Sequence, residues 1–237
     1  MWLFYAPEIA GDTVVLPKEE SMHCINVLRH KPGQTIKLTD GTGYFYDAVI
    51  ESQHKKLVIV RIQKKIKEQP DRKYKLHIVI APTKNISRFE WFLEKVTEIG
   101  IDEITPLITK HSERKDIRED RMKKILLSAM KQSLKATLPR LNSAITFSDF
   151  IQHKYPGYQL FIAYCGMRDT VLLKSVNQPG RNAIILIGPE GDFTKDEVEK
   201  AIEENYTVVS MGNSRLRTET AGVVACHSFY LLNQDSI

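Results

Sequence analysis

Two strand-turn-helix units follow each other between residues 182 and 228, and they constrain the fold more than any other stretch. The first begins with a short apolar run, Ala183 to Ile187, which is typical of a buried strand in a parallel sheet, and it ends at the turn Gly188-Pro189-Glu190-Gly191. The second begins with a strand-like run, Thr207 to Ser210, and continues through a glycine-bearing turn into an apolar helix. Ligands bind at the carboxyl ends of strands in open α/β sheets, so the two loops predict a ligand-binding crevice.

Helix-start signals follow both turns. Thr194 and Glu197 have the spacing of a capping box. Arg217-Thr218-Glu219-Thr220 places a cation, an anion and two hydroxyls at a helix start, where Thr218 could cap free N–H groups. The cluster is either part of a functional site or only a helix cap. The turns lack the Gly-Lys-Ser/Thr ending of a P-loop and the G-x-G-x-x-G of a dinucleotide site, so neither site is predicted.

Composition narrows the class of protein. The chain has 237 residues, a net charge of +5 and a pI near 9.0, which favours a polyanionic partner only weakly. Three widely spaced cysteines without a C-x-x-C pair argue against a disulfide framework, and the scattered histidines predict no metal site. No apolar run approaches the ~20 residues of a membrane span, and the first residues lack the features of a signal peptide. We therefore expect a cytoplasmic protein with no membrane partner.

The chain divides into two predicted domains, residues 1–71 and residues 72–237. In the first, short β-like runs separated by turns, a hairpin signal at Asp40-Gly41-Thr42-Gly43 and one helix from Lys18 to Leu28 predict a small β-barrel. In the second, strands alternate with helices, which predicts an α/β fold with a mostly parallel sheet covered by helices on both faces. Gly100 is predicted to stop the helix over 85–99, and a helical turn is predicted at 170–174. Pro106 suggests that the strand over 103–108 lies at an edge or ends there.

Two segments are rich in lysine and arginine, residues 55–75 and residues 110–140. The first is either a solvated linker around the domain boundary or a binding surface. In the second, the loop Lys110 to Lys115 directly follows a strand end, where it could hold a phosphate backbone. The helix that follows the loop, predicted over 117–136, is either part of that track or a solvent-facing surface helix.

Five motifs together resemble one known family. They are I-G-P-E-G-D-F-T at 187–194, M-G-N-S-R-L-R-T-E-T-A at 211–221, R-F-E-W-F-L-E-K-V-T-E-I-G at 88–100, K-Q-S-L-K-A-T-L-P at 131–139 and H-C-I-N-V-L-R at 23–29. They closely resemble the signatures of the bacterial 16S ribosomal RNA uracil-N3 methyltransferase family (ribosomal RNA small subunit methyltransferase E), of the SPOUT superfamily. The chain departs from that pattern at Asp192, where the family usually has a second glycine, and at Ser214, where it usually has a basic residue.

The resemblance implies S-adenosylmethionine-dependent methylation of N3 of a uridine in 16S rRNA of the 30S subunit. It also implies a homodimer, a PUA-like N-terminal β-barrel and a SPOUT-type α/β domain with a trefoil knot. The open alternatives are a SPOUT ribose 2′-O-methyltransferase and a non-catalytic ribosomal RNA-binding or assembly factor.

The resemblance assigns site residues as well. Three loops would hold the cofactor, through Tyr164, Cys165, Gly166, Ile187, Gly188, Pro189, Glu190, Gly191, Met211, Gly212, Ser214, Leu216 and Thr218. Arg217 would stabilise a developing uracil oxyanion or a neighbouring phosphate, and Glu219 would act as base or orient Arg217. The residues expected to bind RNA are Arg29, Lys31, Lys84, Arg88, Lys110 and Arg114.

Overall fold

The computed structural model describes residues 2–54, 56–68, 72–166 and 170–234. The chain forms two compact units, Met1–Pro70 with Leu127–Leu138, and Asp71–Leu126 with Pro139–Ile237. The sequence pattern predicts that all of 127–138 belongs to the C-terminal domain, whereas this segment packs within the first unit. The Thr39 hydroxyl donates to the carbonyl oxygen of Ala136 at 3.0 Å, and the Lys131 ammonium pairs with the Glu20 carboxylate at 2.5 Å.

The first unit is built on a five-stranded sheet in the order β1-β3-β4-β5-β2. Its strands are β1 (Leu3–Tyr5), β2 (Thr13–Val15), β3 (Thr35–Thr39), β4 (Tyr44–His54) and β5 (Leu57–Lys67). The hairpin predicted at 40–43 is confirmed, because β3 and β4 pair antiparallel up to Thr39 and Phe45. The predicted helix is shorter than expected: α1 (Lys18–Met22) passes into a π-helix, His23–Val27.

The basic segment 55–75 is not a linker over most of its described length. Residues 57–67 form β5, in which Val58 and Val60 are fully buried in the core of the first unit. The charged residues of β5, which are Arg61, Lys64, Lys65 and Lys67, are exposed. The linker hypothesis for these residues is therefore wrong.

The second unit contains a parallel sheet in the order β11-β13-β10-β12-β6-β7-β8, with β9 paired to β7. Its strands are β6 (Leu76–Ile80), β7 (Glu103–Ile108), β8 (Arg140–Leu141), β9 (Ile145–Thr146), β10 (Tyr158–Ala163), β11 (Val171–Leu172), β12 (Asn182–Ile187) and β13 (Thr207–Ser210). Its helices are α2 (Ile86–Ile99), α3 (Glu119–Gln132), α4 (Phe147–Gln152), α5 (Leu173–Val176), α6 (Lys195–Glu203) and α7 (Thr218–Leu232), α3 continuing into the first unit.

Helices cover both faces of this sheet, as predicted. On one face, Phe150 of α4 and Val198 of α6 join a buried cluster with Val79 and Leu186. On the other face, α7 approaches so closely at Gly222 that a Cβ there would lie 2.5 Å from the ring of Phe92 in α2. Within the described ranges, no helix is long and apolar enough to cross a membrane.

Three predicted elements differ in detail. Pro106 lies inside the sheet, where β7 is paired with β6 on one side and with β8 and β9 on the other. Because β8 pairs only as far as Ile104 and β9 begins at Leu107, the missing N–H of Pro106 falls between the two short strands. The helix expected over 117–136 covers Glu119–Gln132 and is followed by Leu134 at φ 53°, and the turn expected at 170–174 contains both β11 and the start of α5.

Candidate active site

Three loops leave neighbouring strands at one edge of the parallel sheet. β10 lies between β12 and β13, and its last residue, Ala163, pairs with Ile187 on one side and Val209 on the other. The loops after these strands, residues 164–166, 188–194 and 211–217, therefore begin side by side. The sequence pattern alone predicted two loops around a crevice, and the structure inserts a third strand end between them.

Asp192 joins two of these loops. One carboxylate oxygen, Oδ2, accepts a hydrogen bond from the backbone N–H of Cys165 at 3.1 Å, and Oδ1 accepts from the N–H of Phe193 at 2.8 Å. The backbone of Asp192 has φ 60°, in the left-handed region that favours glycine and that aspartate tolerates better than most residues. This conformation explains how the chain carries an aspartate where the family pattern has a glycine.

The residues assigned to the cofactor lie in these three loops, except for Ile187, the last residue of β12, and Thr218, the first residue of α7. Ile187, Gly188 and Pro189 are buried, whereas Cys165, Glu190, Gly191, Gly212 and Ser214 are exposed. Gly212 has φ 126°, and a Cβ built on it would meet nothing within 4 Å, so the backbone requires glycine while the space beside it is open. Neighbouring protein atoms partly desolvate the thiol of Cys165 although the residue is exposed, and this desolvation, followed by the charge of Asp192, raises its pKa and keeps it in the unreactive protonated form.

Glu219 and Arg88 form an ion pair that connects two helix starts. Glu219 lies in the first turn of α7, where it is only 6% exposed, and its Oε1 lies 3.8 Å from Nε of Arg88 at the start of α2. The other oxygen, Oε2, is buried and has no hydrogen-bond partner among the described residues. Arg217 is exposed just before α7. The sequence pattern predicts a role for Glu219 beside Arg217 but gives no sign of the pair with Arg88.

The start of α7 corrects the predicted cap. The N-cap residue is Arg217, whose backbone is extended and whose carbonyl oxygen accepts from the N–H of Ala221 at 2.7 Å. Thr218 is therefore the first helical residue, and it is buried rather than positioned to cap. The capping box of Thr194 and Glu197 at the start of α6 is confirmed.

The loops after β6 and β7 meet the loop after β12 at the same edge. The N–H of Lys84 donates to Glu190 at 3.0 Å, and the guanidinium of Arg114 donates to the carbonyl oxygen of Lys84 at 3.0 Å. The Lys84 ammonium pairs with Glu113 at 2.8 Å, and that hydrogen bond raises the pKa of Lys84. Lys84, Arg88, Lys110 and Arg114 therefore lie at the sheet edge that carries the three loops, as parts of the second unit. Lys84 and Lys110 are exposed, whereas Arg88 and Arg114 are half-buried.

Arg29 and Lys31 belong to the first unit, where both are exposed. Arg29 has φ 54°, an uncommon conformation for a residue with a side chain. The two residues flank His30, whose carbonyl oxygen accepts a hydrogen bond from the Gln53 amide at 2.5 Å.

His111 is a site residue that the sequence analysis missed. Its Nδ1 lies 3.1 Å from the carbonyl oxygen of Gly191 and 3.0 Å from that of Asp192, so an Nδ1–H can donate to both. A Cβ on Gly191 would approach the Cβ of His111 to 3.2 Å, which shows how closely the two loops pack. The sequence feature that could have indicated His111 is its position shortly after the end of a predicted strand, next to Lys110. No group of three or more potential metal ligands occurs among the described residues.

The chain matches known protein families over most of its length. A family model for an RNA methyltransferase domain matches residues 70–229, and a model for an RNA methyltransferase PUA domain matches residues 16–63. Ribosomal RNA small subunit methyltransferase E of Rickettsia conorii is 29% identical over 222 residues, which covers 92% of this chain and 90% of the relative.

Solved structures agree with these matches. A probable rRNA-methyltransferase from Porphyromonas gingivalis is 41% identical with a TM-score of 0.93, and the match covers 100% of both chains. Ribosomal RNA small subunit methyltransferase E from Neisseria gonorrhoeae, bound to S-adenosyl methionine, is 26% identical with a TM-score of 0.88, again over 100% of both chains. The chain therefore belongs to the RNA methyltransferase family, with a PUA domain ahead of its methyltransferase domain.

Proposed function

We propose that this protein transfers a methyl group from S-adenosylmethionine to N3 of a uridine in 16S rRNA of the small ribosomal subunit. One observation carries the proposal: three loops from neighbouring parallel strands meet at the sheet edge where Arg88, Glu219 and a basic loop also lie. The relatives named for the small ribosomal subunit, one of them bound to S-adenosyl methionine, support the substrate and the cofactor.

The three loops fit an adenosine derivative. Ile187 and Pro189 supply a buried apolar surface, and Gly212, which has open space where a side chain would be, lets the backbone approach a ligand closely. Loop 164–166 is held against loop 188–194 by Asp192, which keeps both in one arrangement before a ligand arrives. When bound, S-adenosylmethionine would supply an electrophilic methyl group on a sulfonium sulfur.

The chemistry on the uracil side requires removal of a proton and stabilisation of charge. The N3 atom lies on the pairing edge of uracil and carries a weakly acidic proton, so the base must be unpaired when it reacts. Arg217, exposed at the start of α7, would stabilise the uracil oxyanion that develops as the proton leaves. The free oxygen of Glu219 would receive the proton, while its other oxygen holds Arg88 towards the substrate.

Replacing Glu219 with glutamine separates a base from an orienting group. The Glu219→Gln variant keeps the size of the side chain and an oxygen beside Arg88 but cannot take a proton. If Glu219 is the base, we expect kcat to fall by 10²- to 10⁴-fold (about the usual contribution of general base catalysis) with little change in KM. Near-normal turnover would exclude an obligatory base and leave only the orienting role.

RNA binding would use basic residues in each of the two units. In the first unit these are Arg29 and Lys31, and in the second they are Lys84, Arg88, Lys110 and Arg114. Since such contacts release counterions from the RNA, affinity should fall steeply with salt. A salt-insensitive affinity would contradict this role.

Three further properties rest on the family resemblance. The homodimer is inferred from the resemblance, and light scattering of the purified protein tests it. The trefoil knot in the C-terminal domain and the cytoplasmic location are inferred from the resemblance alone.

The proposal is tested by calorimetry and by labelled methyl transfer. We expect S-adenosylmethionine to bind, and label to pass to 30S subunits or to naked 16S rRNA, with the better substrate showing whether assembly is required. No cofactor binding would instead favour the non-catalytic ribosomal RNA-binding factor. Label on the ribose would identify the 2′-O-methyltransferase.

A further inference from the structure

An exposed aromatic cluster lies on the first unit, which contains none of the residues assigned to the cofactor. Trp2 is 60% exposed, and its ring packs edge-to-face on His23 with centroids 5.5 Å apart. Behind it, Phe4 is buried and contacts the rings of both His23 and His30, each at 6.2 Å. One face of the unit therefore carries four connected rings, and most of the outermost ring is open to solvent.

The backbone beside these rings is irregular. His23 begins the π-helix His23–Val27, and Arg29 follows at φ 54°. Conformations of this kind cost free energy and occur disproportionately at functional sites. Here they place His30 against Phe4, with the exposed side chains of Arg29 and Lys31 on either side of it in the chain.

We propose that Trp2, seated on His23, is a stacking platform for an unpaired base of single-stranded RNA, with Arg29 and Lys31 holding the adjacent phosphates. Proteins bind single-stranded nucleic acid by combining exposed aromatic rings with nearby cations, because every base has a stacking face and every link a charge. The two cations favour RNA over an apolar protein surface. The inference rests on the proposed function, and Trp2 lies outside the residues matched by the PUA family model, 16–63.

Intrinsic fluorescence can report on this platform directly. The chain has only two tryptophans, Trp2 and Trp91, so the Trp91→Phe variant leaves Trp2 as the single reporter. We expect single-stranded oligouridylate of about ten nucleotides to quench its emission saturably. Absence of quenching at RNA concentrations that saturate binding would overturn the proposal.

Binding of the same oligonucleotide measures the contribution of stacking. We expect Trp2→Ala to lower the affinity by about 5- to 150-fold without changing the slope of log affinity against log salt concentration. Arg29→Ala or Lys31→Ala should reduce the magnitude of that slope by about one. Leu57→Ala is the matched control, because Leu57 is an apolar side chain of the same unit that is 50% exposed. Equal losses in Trp2→Ala and Leu57→Ala would contradict a specific platform.

Methyl transfer separates this inference from the proposed function. In Trp2→Ala we expect KM for RNA to rise while kcat at saturating RNA stays unchanged. If methylation is normal and KM is unaltered, the platform is wrong and the proposed function stands. If quenching and affinity behave as expected but no methyl group is transferred by the wild type, the proposed function is wrong and the platform stands. Weaker binding to 30S subunits but not to naked RNA would point to a ribosomal protein and overturn the inference.

Discussion

Replacing Asp192 would test how the cofactor loops are held together. Its carboxylate accepts one hydrogen bond from Cys165 in the neighbouring loop and one from Phe193 in its own. At about 0.5–1.5 kcal/mol for each bond, Asp192→Ala should lower the free energy of unfolding by about 1–3 kcal/mol. Asp192→Asn, which keeps one acceptor oxygen, should lose about half as much. Chemical denaturation measures both changes.

The same substitution should weaken cofactor binding. Without the bond to Cys165, loop 164–166 must be ordered when the ligand binds, and a loss of about 1 kcal/mol corresponds to about a fivefold rise in the Kd for S-adenosylmethionine. Asn205→Gly is the matched control, because Asn205 has a similar left-handed backbone, φ 66°, in an exposed turn away from these loops. We expect this control to keep the wild-type Kd by calorimetry. If Asp192→Ala also kept it, the carboxylate would not be organising the cofactor loops.

Three further predictions concern the second unit. Gly222→Ala should lower the free energy of unfolding by about 1–3 kcal/mol, measured by denaturation, because the new methyl group would meet the buried ring of Phe92; unchanged stability would refute the close packing. Burial lowers the pKa of His77 to about 4, below its ordinary 6.5, so the unfolded chain binds a proton that the folded chain does not. Stability should therefore fall between pH 6.5 and 4, by at most about 3 kcal/mol, and this part of the pH dependence should be absent from His77→Gln. Arg88→Ala leaves the Glu219 carboxylate buried without its charge partner and should cost about 1–3 kcal/mol, much of which the double variant with Glu219→Gln should recover; no recovery would argue against the pair.

Local signals predicted much of the fold. The capping box at Thr194 and Glu197 and the glycine stop at Gly100 depend on residues a few positions apart, and the structure confirms both. The alternation of strands and helices likewise predicts a parallel sheet, although it does not predict the order of the strands. These features are set by short-range hydrogen bonding and by which side chains face the core.

Long-range features could not be predicted in this way. The position of β10 between β12 and β13 depends on how the chain crosses over the sheet, and no local pattern encodes it. The pair of Glu219 with Arg88 joins the first turns of two helices that are far apart in sequence. The packing of 127–138 within the first unit depends on contacts such as that from Thr39 to Ala136, which periodicity along one helix does not reveal.

The central claim is methylation of uracil at N3, and the identity of the labelled nucleoside tests it most directly. Unmethylated 30S subunits or 16S rRNA would be incubated with the wild-type protein and S-adenosylmethionine that carries a labelled methyl group. The RNA would then be digested to nucleosides and separated by mass spectrometry. We predict that the label is found in N3-methyluridine. Label in a 2′-O-methylated ribose, or no transfer to RNA by protein that binds the cofactor, would contradict the proposed function.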